Sequence, residues 1–176
     1  MSDGEQEQKR LGAGMFALAW LALMGLMVAW FNGTLDSQRN PNQSLSTAYT
    51  DGAREVVLQR NRYGHYVSSG QINGREVEFM LDTGATTIAI PSDIARKLNL
   101  EMGRRFQTRT ANGVGTAYAT TLSEVSVGGI TLHNVEAAIT PGLSGQILLG
   151  MSFLQKIEFA QRGDTMILRQ YQGSAN

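Results

Sequence analysis

The chain has 176 residues, enough for one folded domain with attachments. Fifteen basic residues balance fifteen acidic ones, so no net field draws it to nucleic acid or to an anionic surface. Cysteine is absent, which removes disulfides, thiolate metal sites and cysteine nucleophiles from consideration.

The first element is an uncharged apolar run from Leu11 to Phe31, LGAGMFALAWLALMGLMVAWF. At 1.5 Å per residue it reaches ~30 Å as a helix, the thickness of a bilayer's hydrocarbon core. A cleaved signal peptide would have a shorter apolar region ending in a small-x-small site, whereas this run leaves through Ala29-Trp30-Phe31-Asn32. Residues 11–31 are therefore expected to be a transmembrane helix. Lys9 and Arg10 flank it on the N-terminal side, which predicts a cytoplasmic tail over residues 1–10 and a chain that continues outside the cytoplasm.

Residues 32–51 are rich in Asn, Gln, Ser and Thr, include Pro41 and lack periodicity, a composition that predicts a flexible linker. Residues 52–176 then read as a small all-β domain of mostly antiparallel sheet. Glu55-Val56-Val57-Leu58 and Tyr66-Val67 are strand signals, and Asn73-Gly74 is a two-residue hairpin turn leading into the alternation Val77, Phe79, Leu81. Further turns are expected at Asn112-Gly113, Gly128-Gly129 and Gly163-Asp164. Short helices are expected in two places. One follows Pro91, with Ser92 as cap and Asp93 in its first turn, and the other runs from Met151 to about Lys156.

The chemistry is concentrated at Phe79-Met80-Leu81-Asp82-Thr83-Gly84-Ala85, where an apolar strand delivers a carboxylate into a turn of small residues. Activating water at a peptide carbonyl without a metal takes two carboxylates close enough to share a proton, one acting as base and the other as hydrogen-bond donor. Such a pair needs a turn whose N–H groups face the carboxylate oxygens. Gly84 permits that approach because it has no Cβ, and Thr83 has a hydroxyl able to lock the turn. His65 and His133 lack ligand spacing and a nearby acidic partner, and no metal or cofactor is implied. Ser68, Ser69 and Ser152 lack the surroundings of a serine nucleophile.

The Asp82-Thr83-Gly84-Ala85 turn, the Pro91-Ser92-Asp93 helix start and Ile147-Leu148-Leu149-Gly150 together resemble the retropepsin-like aspartic proteases, in particular bacterial members with one N-terminal membrane segment. The resemblance implies a closed, barrel-like acid-protease protomer with Asp82 as catalytic residue. It also implies an active-site turn of Thr83, Gly84 and Ala85 buttressed by Leu148, Leu149 and Gly150, and a flap over Ala111, Asn112 and Gly113 that binds substrate as an extended strand. The chain contains no second Asp-Thr-Gly, so such an enzyme works as a homodimer in which each copy supplies one Asp82. The expected activity is that of an aspartic endopeptidase in a bacterial inner membrane, with its protease domain in the periplasm. The alternative is a catalytically silent module that captures peptides, and the intact Asp82 turn favours the enzyme.

Overall fold

The computed structural model describes residues 3–110 and 113–171. The chain forms two compact units, Met1–Gln38 and Arg39–Asn176. The first is the greater part of a single helix, α1 (Asp3–Arg39). Its stretch Gly14–Arg39 is long and apolar enough to cross a membrane, and holds an 18-residue window of mean hydropathy 2.0 that is not buried within the chain. A helix of this length and position serves either as an anchor or as a signal sequence.

The second unit contains eleven strands among the described residues, and their boundaries follow the local turn chemistry. β1 (Thr47–Thr50) and β2 (Ala53–Gln59) form one hairpin; β3 (Val67–Ile72) and β4 (Arg75–Leu81) form another, about Asn73 and Gly74 at φ of 50° and 75°. β5 (Ile88–Pro91) leads into α2 (Ser92–Lys97), followed by β6 (Arg105–Thr110), β7 (Gly113–Val127) and β8 (Ile130–Thr140). The short β9 (Ile147–Leu149), α3 (Met151–Leu154), β10 (Glu158–Arg162) and β11 (Thr165–Tyr171) complete the chain. Gly128 and Gly163, at φ of 57° and 58°, occupy the turns after β7 and β10 where the left-handed region is needed.

Two sheets result. The smaller has the order β1-β2-β11-β10 and is antiparallel throughout. The larger runs β3-β4-β9-β5-β8-β7-β6, and a further β3–β7 pairing curls it into the closed, barrel-like form expected. Its antiparallel character is broken by two parallel pairs, β4 with β9 and β5 with β8. Both arise because the strands that flank the Asp82 turn find partners far along the chain rather than in a hairpin. Phe79, Ile88, Ile90, Leu122, Ile139, Leu149 and Phe153 are fully buried and form the centre of the core.

Three local expectations change. Residues 32–51 are not a loose tether: α1 runs on to Arg39, Thr47–Thr50 form β1, and Asn40 and Asn42 are each only 3% exposed. The Asn42 amide donates to the carbonyls of Gln59 at 2.9 Å and Val67 at 2.6 Å, and its oxygen accepts from the Gln59 N–H at 2.7 Å. A side-chain amide carries the same donor and acceptor as a peptide group, so a composition that reads as solvated serves here to bond strands. Ser92 does not cap α2. Pro91 occupies the cap position while still paired in β5, and the Ser92 hydroxyl is buried without a partner among the described residues. His133, opposite Glu124 across β7 and β8, does face an acid, at 3.9 Å.

Candidate active site

The Asp82 turn joins the end of β4 to the start of β5, and β9 is inserted between those two strands. β9 runs parallel to β4, with Phe79, Met80 and Leu81 opposite Ile147, Leu148 and Leu149, and meets β5 at the Ala89–Leu148 pair. The loop carrying Asp82 is thereby held from behind by a strand distant in sequence.

Backbone hydrogen bonds set the turn. The Asp82 N–H donates to the Leu149 carbonyl at 3.2 Å, and the Ala85 N–H donates to the Asp82 carbonyl at 3.2 Å. The Gly84 N–H donates to Asp82 Oδ1 at 2.8 Å, which fixes the carboxylate relative to its own loop. A Cβ on Gly84 would lie 3.1 Å from that oxygen, so glycine keeps this approach uncrowded. Asp82 is half-buried, whereas Thr83 and Gly84 are exposed. The lock expected of the Thr83 hydroxyl is not made among the described residues of the single chain.

The far side of the turn is tied to α3. The Met151 N–H donates to the Ala85 carbonyl at 2.8 Å and the Ser152 N–H to the Thr86 carbonyl at 3.0 Å. Gly150 lies where no side chain fits: a Cβ there would be 2.3 Å from the Thr87 carbonyl oxygen and 2.6 Å from that of Ala85. Leu148 pairs with Met80 and Ala89, and Leu149, whose carbonyl takes the Asp82 N–H, also enters the core.

Sequence reasoning set Ser152 aside as a poor nucleophile and missed its structural role. Its buried hydroxyl donates to the Glu136 carbonyl at 2.7 Å and accepts from the Ile88 N–H at 3.0 Å, joining α3 to β8 and to the first residue of β5. The available signal was a lone polar residue inside the apolar run Ile147–Leu154. Of the expected flap, β6 and β7 pair antiparallel with Thr110 opposite Gly113, so their connection falls at residues 111–112. Ala111 and Asn112 lie outside the described residues. Gly113 begins β7 at a φ of 107°. No group of three metal-ligating acids or histidines occurs among the described residues.

A closed β-barrel whose acid-bearing loop is braced by an inserted apolar-apolar-glycine strand has the architecture of an acid-protease protomer. Residues 68–156 match the family model described as "gag-polyprotein putative aspartyl protease". A crystal structure of a retropepsin-like aspartic protease from Rickettsia conorii superposes with a TM-score of 0.56 at 30% identity, covering 73% of this chain and 95% of that one. An uncharacterized Sinorhizobium protein encoded in the cobV 5′ region is 32% identical over 179 residues, covering 93% of this chain and 77% of its own length. An uncharacterized protein of Rickettsia prowazekii is 32% identical over 118 residues, which is 65% of this chain and 51% of that protein. The chain belongs to the retropepsin-like aspartic protease family.

Proposed function

We propose that the chain is a membrane-anchored aspartic endopeptidase in which two copies, related by a two-fold axis, each contribute Asp82 to one site. The observation that carries this reading is the Asp82 carboxylate, half-buried and held through Oδ1 by the Gly84 N–H in a turn braced from behind by β9 and Gly150. One carboxylate cannot act as base and acid at once. Two of them brought together share a proton, so that one takes a proton from water while the other donates to the scissile carbonyl. The exposed Thr83 and Gly84 leave the turn available to a second copy.

Substrate enters as an extended strand between the turn and the β6–β7 hairpin, which acts as a flap that excludes water, with Ala111, Asn112 and Gly113 at its tip. Residues 11–31 act as an uncleaved anchor, and Lys9 and Arg10 favour a cytoplasmic N-terminus, which places the protease domain in the periplasm of a bacterial cell. Confinement of both copies to one membrane raises their effective concentration and favours the dimer.

The test is mass-spectrometric cleavage mapping of a diverse peptide mixture by the full chain in detergent, from mildly acid to neutral pH, beside Asp82→Ala, with the oligomeric state measured in the same samples. Cleavage by a dimer that disappears in the variant is the expected result. A demonstrably dimeric protein that cleaves nothing would move the function to capture of peptides without hydrolysis.

A further inference from the structure

Four residues before Asp82 on β4, and on the same face of the strand by two-residue alternation, Glu78 joins segments that are far apart in sequence. Its Oε2 accepts from Arg39 Nη2 at 3.3 Å and from Asn40 Nδ2 at 3.1 Å, and its Oε1 accepts from the Gln146 amide. Gln146 ends the loop that enters β9, the strand that braces the turn. The Glu78 side chain is 24% exposed, so these bonds form where solvent competes only in part.

Arg39, Glu78 and Gln146 border an open cleft of about 780 Å³, whose lining also includes Tyr63, His65, Met80 and Leu148. Met80 and Leu148 are a cross-strand pair on β4 and β9, and alternation puts Met80 on the face towards which Asp82 follows. Arg39, Tyr63 and His65 precede residue 68, where the family match begins. One side of the cleft is therefore built from this chain's own N-terminal approach. That approach is held in place: Asn61 Nδ2 donates to the Arg39 carbonyl at 2.9 Å, and Asn40 Nδ2 also reaches Ser69 Oγ at 3.3 Å.

We infer that Glu78 is a positioning residue for substrate selection, holding Arg39 (with its neighbour Asn40) and Gln146 at the cleft, so that Arg39, Asn61, Tyr63 and His65 form a specificity wall beside the reacting centre. The inference rests on the endopeptidase reading above, because it makes the cleft a subsite of that enzyme. An extended peptide would place one side chain over the apolar Met80–Leu148 floor and have its neighbour read by Arg39, Tyr63 and His65. Glu78 itself does not touch the reacting atoms.

The experiment uses the full chain in detergent and the peptides that the wild-type protein cleaves best. Glu78→Gln removes the charge that holds Arg39 and leaves one acceptor oxygen in place of two, so that amide hydrogens face either Arg39 and Asn40 or Gln146, and KM should rise about tenfold while kcat changes less than about twofold. The double variant Glu78→Gln with Gln146→Glu restores an amide–carboxylate pair and should recover most of the KM and the wild-type cleavage preferences. A loss confined to kcat, or no recovery in the double variant, would overturn the inference. A second readout does not depend on turnover: in an Asp82→Asn background, Glu78→Gln should speed amide hydrogen exchange in residues 39–42 and 143–146 together. Exchange unchanged in either segment would refute the coupling. A wild-type protein that cleaves nothing would count against the endopeptidase reading alone, and the exchange result would still decide whether Glu78 links the two segments.

Discussion

Gly150→Ala puts the bracing of the Asp82 turn to its most direct test. Gly150 has φ of −90° and ψ of −170°, a conformation any residue adopts, so backbone freedom is not the reason for glycine here. The reason is space. The added Cβ would meet two carbonyl oxygens, of Thr87 at 2.3 Å and Ala85 at 2.6 Å, and neither can rotate away as a side chain would. Relief requires the 85–87 segment to part from α3, which breaks the bonds from Met151 to Ala85 and from Ser152 to Thr86. Two backbone hydrogen bonds are worth ~2 kcal/mol net, and overpacking adds about 1 to 3 kcal/mol, for a total near 4 kcal/mol. The variant should unfold at lower urea, with Tm reduced by roughly 10 °C. Any protein that remains folded should lose most peptide cleavage, because the carboxylate loop has moved. Gly142→Ala is the control, since nothing lies within 4 Å of a Cβ there. A Gly150→Ala protein as stable and as active as the control would show that β9 and α3 do not brace the turn.

Asn42→Ala removes three hydrogen bonds and takes their partner from the Gln59 N–H and the Gln59 and Val67 carbonyls, which should cost about 3 kcal/mol. A fragment starting at residue 52, which lacks both Asn42 and β1, should accordingly melt well below one starting at residue 39. Ser152→Ala leaves the Ile88 N–H and the Glu136 carbonyl unpaired, and a loss of ~2 kcal/mol is expected in chemical denaturation. On β11 the Tyr171 phenol donates to Glu158 Oε2 at 2.8 Å, and this bond, reinforced by the glutamate's charge, raises the phenol above its ordinary pKa of 10.0. A group whose folded pKa is raised stabilises the fold below its unfolded pKa and loses that contribution as pH rises through the folded value. Spectrophotometric titration of the wild type against Tyr171→Phe should therefore show that the phenol of Tyr171 ionises above its ordinary value, and the substitution should also remove part of the decline in stability above pH ~10.

The turns and the short strands were legible from sequence because their causes are local. Asn73-Gly74, Gly128-Gly129 and Gly163-Asp164 supply positive φ where hairpins need it, and Phe79 alternates into the core as strand geometry requires. Asp82-Thr83-Gly84 and Ile147-Leu148-Leu149-Gly150 stood out because a carboxylate ending an apolar strand, and a glycine ending another, each need a reason. The helix cap misled for a related cause. Ser92 has the composition of an N-cap, but the strand pairing of Pro91 with Thr140 moves the helix start by one residue.

Tertiary structure decided the rest. Backbone hydrogen bonds carry no side-chain identity, so nothing local in Ile147–Leu149 says that it inserts between β4 and β5. Polar side chains are equally ambiguous until their neighbours are known. Asn40, Asn42 and Ser152 have compositions suited to solvent, yet each is buried because a distant segment offers it the donors and acceptors that water would otherwise supply. The sequence by itself determined which residues could carry a reactive carboxylate and where the chain could turn. Only the folded chain determined what stands behind that carboxylate and what lines the cleft beside it, since both depend on contacts between residues far apart along the chain.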